Sequence, residues 1–154
     1  MKTHNYTVSV EWSDNIGTKG YTDYSRNHTI LSENKEAINC SSDPVFRGDK
    51  SKYNPEELLV AAVSQCHMLW FLHLASESKV VVKKYNDTPV GFMEEYSDGS
   101  GKFTLIQLNP VIQVENPTDA SLISILHEDA HKKCFIANSL NCKVEISECR
   151  VFLL

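Results

Sequence analysis

A cysteine at position 66 sits inside the stretch Asn54 to Ala75, NPEELLVAAVSQCHMLWFLHLA, whose other residues are mostly apolar. A thiol so placed can act as a nucleophile or redox centre if a positive charge favours its anion. Only about 3% of an ordinary thiol is thiolate at pH 7, and lowering its pKa to about 6 takes roughly 3.4 kcal/mol of preferential anion stabilisation. The dipole of a helix starting at Asn54 cannot supply this, because Cys66 lies about three turns in and the effect fades within the first turn. A guanidinium is the suitable partner, since it stays charged when desolvated and donates in a fixed fork. The chain offers Arg26, Arg47 and Arg150. The competing reading of Cys66 is a small packed hydrophobe, the usual fate of a free cysteine.

A different chemistry is spelled by His127, Glu128 and His131, HEDAH, which fits the HExxH pattern of zinc peptidases. Short patterns of this kind arise by chance, and no downstream histidine offers a third ligand. His67 and His73 follow Cys66 on the same segment; His73, seven residues on, shares its face and could tune the thiol, although a packing role suits both histidines better. Tyr24, Arg26 and His28 alternate as on one strand face. Cys40, Cys142 and Cys149 read as packing residues.

The elements that must position these residues are legible from pattern. Asn54 is a good N-cap, Pro55 fits the first helical position, and Glu57 can close a capping box. The apolar residues that follow cover more than one side of the wheel, which predicts a helix surrounded by protein with Cys66 buried or nearly so. Strands are expected at Tyr6 to Trp12, Tyr21 to Leu31 and Ala37 to Ser41 before the helix, with a loop over Pro44 to Tyr53. After it come Val80 to Tyr85, Val90 to Tyr96 and Lys102 to Val114, with a hairpin turn at Asp98-Gly99. Asn116, Pro117 and Asp119 announce a second helix with a stripe of Leu122, Ile125, Leu126 and Ala130, ending near Lys132 and Lys133. Lys143 to Leu153 predicts a closing strand, and the whole an α+β fold.

The chain has 154 residues, 42% of them hydrophobic, which suits one domain over residues 1-154. A formal net charge of −5 with scattered lysines argues against nucleic acid as a partner. The N-terminal segment alternates instead of forming a signal-peptide core. No apolar run approaches the roughly 20 residues of a membrane span, so the expected location is cytoplasmic, without membrane partners. Five cysteines without a CxxC pair point away from a disulfide framework or zinc ribbon. Neither a cofactor nor a metal is expected.

The pairing of NPEELLVAAVSQC with AHKKCFIANSL resembles the OsmC/Ohr family of osmotically induced and organic hydroperoxide resistance proteins, over nearly the whole chain. The SQCHMLWFLHLA and DPVFRGD motifs place the resemblance nearest the OsmC-like branch. It implies an intertwined homodimer with antiparallel sheets wrapped around two central helices. It also implies a thiol peroxidase that reduces organic hydroperoxides through Cys66, with Cys134 resolving, Glu56 as acidic partner and Arg26 as catalytic arginine, and a dithiol such as a lipoyl group as reductant. Residues His67 after the reactive cysteine and Lys132-Lys133 before the resolving one depart from the best-studied members. In a straight helix Glu56 and Cys66 would stand roughly 15 Å apart along the axis, so the helix breaks between them or Glu56 acts through Arg26. Two further functions compete: a non-enzymatic dimeric binding module with inert cysteines, and a zinc hydrolase using His127, Glu128 and His131.

Overall fold

The structure, a computed structural model, describes residues 2–154. The chain clusters into two compact units, one up to Leu58 and one from Leu59 to Leu154.

The first unit is a three-stranded antiparallel meander of β1 (Ser9–Glu11), β2 (His28–Leu31) and β3 (Ile38–Cys40). Its strands are shorter than the alternation predicts. Tyr6, Val8 and Val10 are well exposed, and of the face they share with Trp12 only the Trp12 ring is packed, edge-on against Tyr24. The segment from Tyr21 to Asn27 is loop instead of strand. Asp14 explains this: its carboxylate accepts backbone N–H bonds from Ile16, Gly17 and Ser25, which folds the loop back on itself. These donors hold the Asp14 carboxyl below the usual carboxylate range, Ser25 most strongly. Farther on, a short turn at Pro44–Phe46 is capped by Asp43, and Gly48 follows it. A Cβ at Gly48 would lie 1.5 Å from the Ser42 carbonyl oxygen, so only glycine fits.

The long helix α1 (Pro55–Glu77) begins as expected. Asn54 Oδ1 accepts the Glu57 N–H at 2.8 Å, and Glu57 Oε2 accepts the Asn54 N–H at 3.1 Å, a reciprocal capping box. It runs without a break to Glu77, which removes the expectation of a discontinuity between Glu56 and Cys66. The expectation of a helix surrounded by protein is met in part within the single chain. Of its 23 residues only Val63, His67, Phe71 and Ala75 are buried, a single stripe at spacing four. Its best 18-residue window has a mean hydropathy of 1.6, so by length and composition α1 is apolar enough to cross a membrane, contrary to the run-based expectation. Ser64, Gln65 and His67 interrupt the apolar run without lowering that average enough.

In the second unit the strands are β4 (Val82–Asn86), β5 (Val90–Glu95), β6 (Gly101–Leu108), β7 (Val111–Val114), β8 (Lys143–Ile146) and β9 (Arg150–Leu153). They form two three-stranded sheets, β4-β7-β9 and β5-β6-β8. The expected strand over Lys102 to Val114 divides because Pro110 has no N–H and the Asn109 N–H goes to Asp87 Oδ1 at 2.7 Å. The closing strand divides in step with it, the Ser147 N–H bonding the Leu108 carbonyl and the Arg150 N–H the Pro110 carbonyl. Both C-terminal strands pair in parallel, so these sheets are mixed and not antiparallel throughout. The turn at Asp98-Gly99 is as predicted, with Gly99 at φ +81°.

Helix α2 (Ala120–Lys133) is capped by Asp119, whose side chain accepts the Ser121 N–H at 2.8 Å. Its buried residues are Ile123, Leu126, His127 and Ala130. Ile125, expected on that stripe, is exposed, and His127 takes a core position instead. Phe71, Ala75, Ile112, Val114, Ile123 and Leu126 form the larger core cluster; Val63, Ile106 and Leu108 form a second.

Candidate active site

Cys66 lies on α1 beside the buried stripe, one residue before His67, and is half-buried instead of enclosed. Cys134 is the C-cap residue of α2 and is fully buried. These two thiols, from separate helices, are neighbours: Cys66 is close enough to perturb the Cys134 thiol, and both are free. The Cys134 Sγ also accepts the backbone N–H of Ala137 at 3.4 Å, in the short turn Ala137–Ser139 that follows α2. Burial pushes the Cys134 thiol up to about 11, the neighbouring Cys66 adds to this, and the Ala137 amide opposes it. Cys134 is therefore protonated at neutral pH.

Which neighbouring side chains flank the pair is a question the sequence left open. Phe71 is fully buried in the core and stacks on His127 with centroids 4.2 Å apart. Leu69 is exposed. Trp70 packs edge-on against Phe135, the residue after Cys134, at 5.7 Å, with the Lys133 ammonium 5.4 Å from its ring centre. Phe135 is 69% exposed and had drawn no attention in the sequence, because a lone aromatic after a helix gives no periodic signal.

His67 and His127 form a buried pair, His67 Nε2 and His127 Nδ1 lying 2.9 Å apart. Desolvation lowers His67 to about 4 and His127 to about 3, each also repelled by a neighbouring imidazole. Both are neutral in the fold but near 6.5 when unfolded. Their contribution to stability is thus complete above pH 6.5 and is lost as pH falls from there toward 4. The denaturation midpoint should accordingly drop steadily between pH 6.5 and 4.5; a flat profile in that interval would contradict the buried neutral pair. His127 Nε2 meets Cys149 Sγ at 3.4 Å, which makes Cys149 more than the packing residue expected. Among the described residues no three His, Cys, Asp or Glu side chains converge as a metal site, so HEDAH does not assemble the ligand set of a zinc hydrolase. His73 is exposed and does have an acidic partner, Glu77 one turn on at 3.5 Å.

The two remaining site candidates, Arg26 and Glu56, belong to the first unit. Arg26 is half-buried in the loop before β2, donating at 2.6 Å to the Tyr24 and Tyr21 carbonyls and stacking on Tyr24 with its guanidinium carbon 3.8 Å from the ring centre. The expected grouping with Tyr24 survives although the strand does not. Glu56, in the first turn of α1, has its Oε2 buried without a hydrogen-bond partner.

With this geometry in view, the comparisons are decisive on family. The OsmC-like protein family model matches residues 48–148. The chain belongs to the OsmC-like family. An OsmC-like protein of unknown function from Vibrio cholerae shares 29% identity and a TM-score of 0.83, over 97% of this chain and all of that one. Organic hydroperoxide resistance proteins from Elizabethkingia anophelis and Bacillus subtilis share the fold at 19% and 18% identity, with TM-scores of 0.68 and 0.61. The first alignment covers both chains completely, the second 97% of this chain and 98% of that one. No curated protein matches this OsmC-like chain.

Proposed function

We propose that this OsmC-like chain is a thiol-dependent peroxidase that reduces organic hydroperoxides. The observation that carries the reading is the nearness of two free thiols from separate helices, Cys66 and the buried Cys134 that it perturbs. Cys66, as thiolate, attacks the outer oxygen of the hydroperoxide; the O–O bond breaks, the alcohol leaves after taking a proton, and Cys66 becomes a sulfenic acid. Cys134 then attacks that sulfur, water departs, and the disulfide is returned to two thiols by an external dithiol, of which a lipoyl group is one.

Cys134 suits the second role because burial keeps it protonated until its partner is oxidised. Trp70 and Phe135 offer an apolar surface to the organic part of the substrate. Arg26 is the proposed thiolate partner and Glu56 its holder. The buried, unpaired Oε2 of Glu56 is the kind of acceptor that a guanidinium satisfies. The reading includes a homodimer, because an apolar helix with one buried stripe leaves surface that a second copy would cover.

The test is mass spectrometry of reduced protein after one equivalent of an organic hydroperoxide. The expected result is a dimeric native mass, and a loss of two hydrogens per chain that maps to a peptide pair linking Cys66 and Cys134. Unchanged masses at both cysteines would favour the non-enzymatic binding module instead.

A further inference from the structure

Cys149 lies in the turn between β8 and β9, half-buried, and shares with His127 the wall of a cavity of about 510 Å³ within the second unit. Leu108, Val144 and Ile146 give that wall its apolar part, and Glu128, His131 and Glu145 its polar and charged part. Neither Cys149 nor this cavity has a part in the peroxidase reading.

We infer that Cys149 Sγ and His127 Nε2 form a binding site for a soft monovalent metal ion of the Cu(I) class. Three features of the molecule carry this. The first is donor geometry: the two atoms are 3.4 Å apart. With metal–sulfur and metal–nitrogen bonds of about 2.3 and 2.0 Å, that separation already corresponds to a bent arrangement of roughly 100°, and an outward shift of Sγ by about 1 Å makes it linear. The second is the support behind the histidine. When Nε2 of His127 holds a metal, its ring proton is on Nδ1, and Nε2 of His67 stands 2.9 Å away to accept it. A ligating histidine characteristically donates its other N–H in this way, which fixes its tautomer and raises its basicity.

The third feature is charge. One thiolate and one neutral imidazole around a monovalent ion make a neutral complex, the charge state that a half-buried site accommodates best. Thiolate and imidazole donors match soft ions, and among the described residues no third donor converges to complete the four-ligand set of a structural zinc site. On binding, the Cys149 S–H bond breaks and its proton passes to solvent. Sulfur–metal and nitrogen–metal bonds form, and no oxidation state changes.

The Cys66–Cys134 pair would compete for such an ion, so the test uses the Cys66→Ser, Cys134→Ser double variant, titrated anaerobically with Cu(I) against a chromogenic Cu(I) chelator. The expected result is one equivalent bound per chain, with a near-ultraviolet thiolate-to-copper band. Adding Cys149→Ser, which keeps a hydroxyl donor toward His127 and so preserves the fold, should weaken binding at least about a hundredfold and abolish the band. Binding of less than one equivalent in the double variant, binding unchanged by Cys149→Ser, or tighter binding of Zn(II) than of Cu(I) would each overturn the assignment.

Discussion

Cys66→Ser should reduce organic hydroperoxide consumption by at least about a thousandfold, because a serine hydroxyl has neither the acidity nor the sulfur nucleophilicity that peroxide attack requires. The protein should stay folded, since the site is half-buried and the side chains are nearly isosteric. Cys134→Ser gives the contrasting outcome. Its first turnover should proceed at close to the normal rate, but Cys66 then stops at the sulfenic acid, detectable as a gain of one oxygen and by trapping with a dimedone-type probe. If both variants lost the first turnover equally, the division of labour between the two sulfurs would be wrong. Peroxide consumption by Cys66→Ser at the native rate would remove Cys66 from the chemistry altogether.

The largest stability loss is expected at Phe71. This ring is fully buried, stacks on His127 at 4.2 Å and leans on Tyr85 at 5.7 Å, in the cluster that joins α1, α2 and the β4-β7-β9 sheet. Phe71→Ala removes that contact area and leaves a cavity beneath the paired histidines, at a cost of about 3 to 5 kcal/mol. Chemical denaturation checks it: the midpoint should fall sharply with the slope unchanged. A loss below about 1 kcal/mol would mean that the core closes over the gap. Because the histidines stay neutral only while they are dry, the same substitution should also move the onset of acid unfolding to higher pH.

The sequence made some of this readable for identifiable reasons. Asn54, Pro55 and Glu57 specify the start of α1 through local bonds, and those bonds form as expected. Asp98-Gly99 likewise needs only its own backbone conformation. The pairing of Cys66 with Cys134 comes from the family resemblance and not from spacing, because the distance between them depends on how two helices approach. Where chain segments depend on distant partners, the reading failed. The loop at Tyr21 to Asn27 is folded by Asp14, eleven residues from its farthest partner, Ser25. His127 looked like half of a zinc motif, but its actual neighbours, His67 and Cys149, are 60 and 22 residues away. Alternation at Tyr6 to Trp12 and the apolar girth of α1 advertise surfaces that call for covering, and a single chain does not show what covers them.

The parallel pairing of β8 with β6 and of β9 with β7 sets the order in which the second unit can be completed. Gln107 and Glu145, joined side chain to side chain at 3.0 Å, are 38 residues apart, and the β7–β9 ladder spans a similar stretch. Each sheet thus receives its third strand from residues 143–153, after both helices have been laid down. Hairpins such as β5–β6 can form early from local contacts, whereas the parallel ladders must close large loops first, which is the slow kind of step in folding. Until they close, β6 and β7 each present one unpaired edge, and the newly made unit is then most open to pairing with the wrong strand.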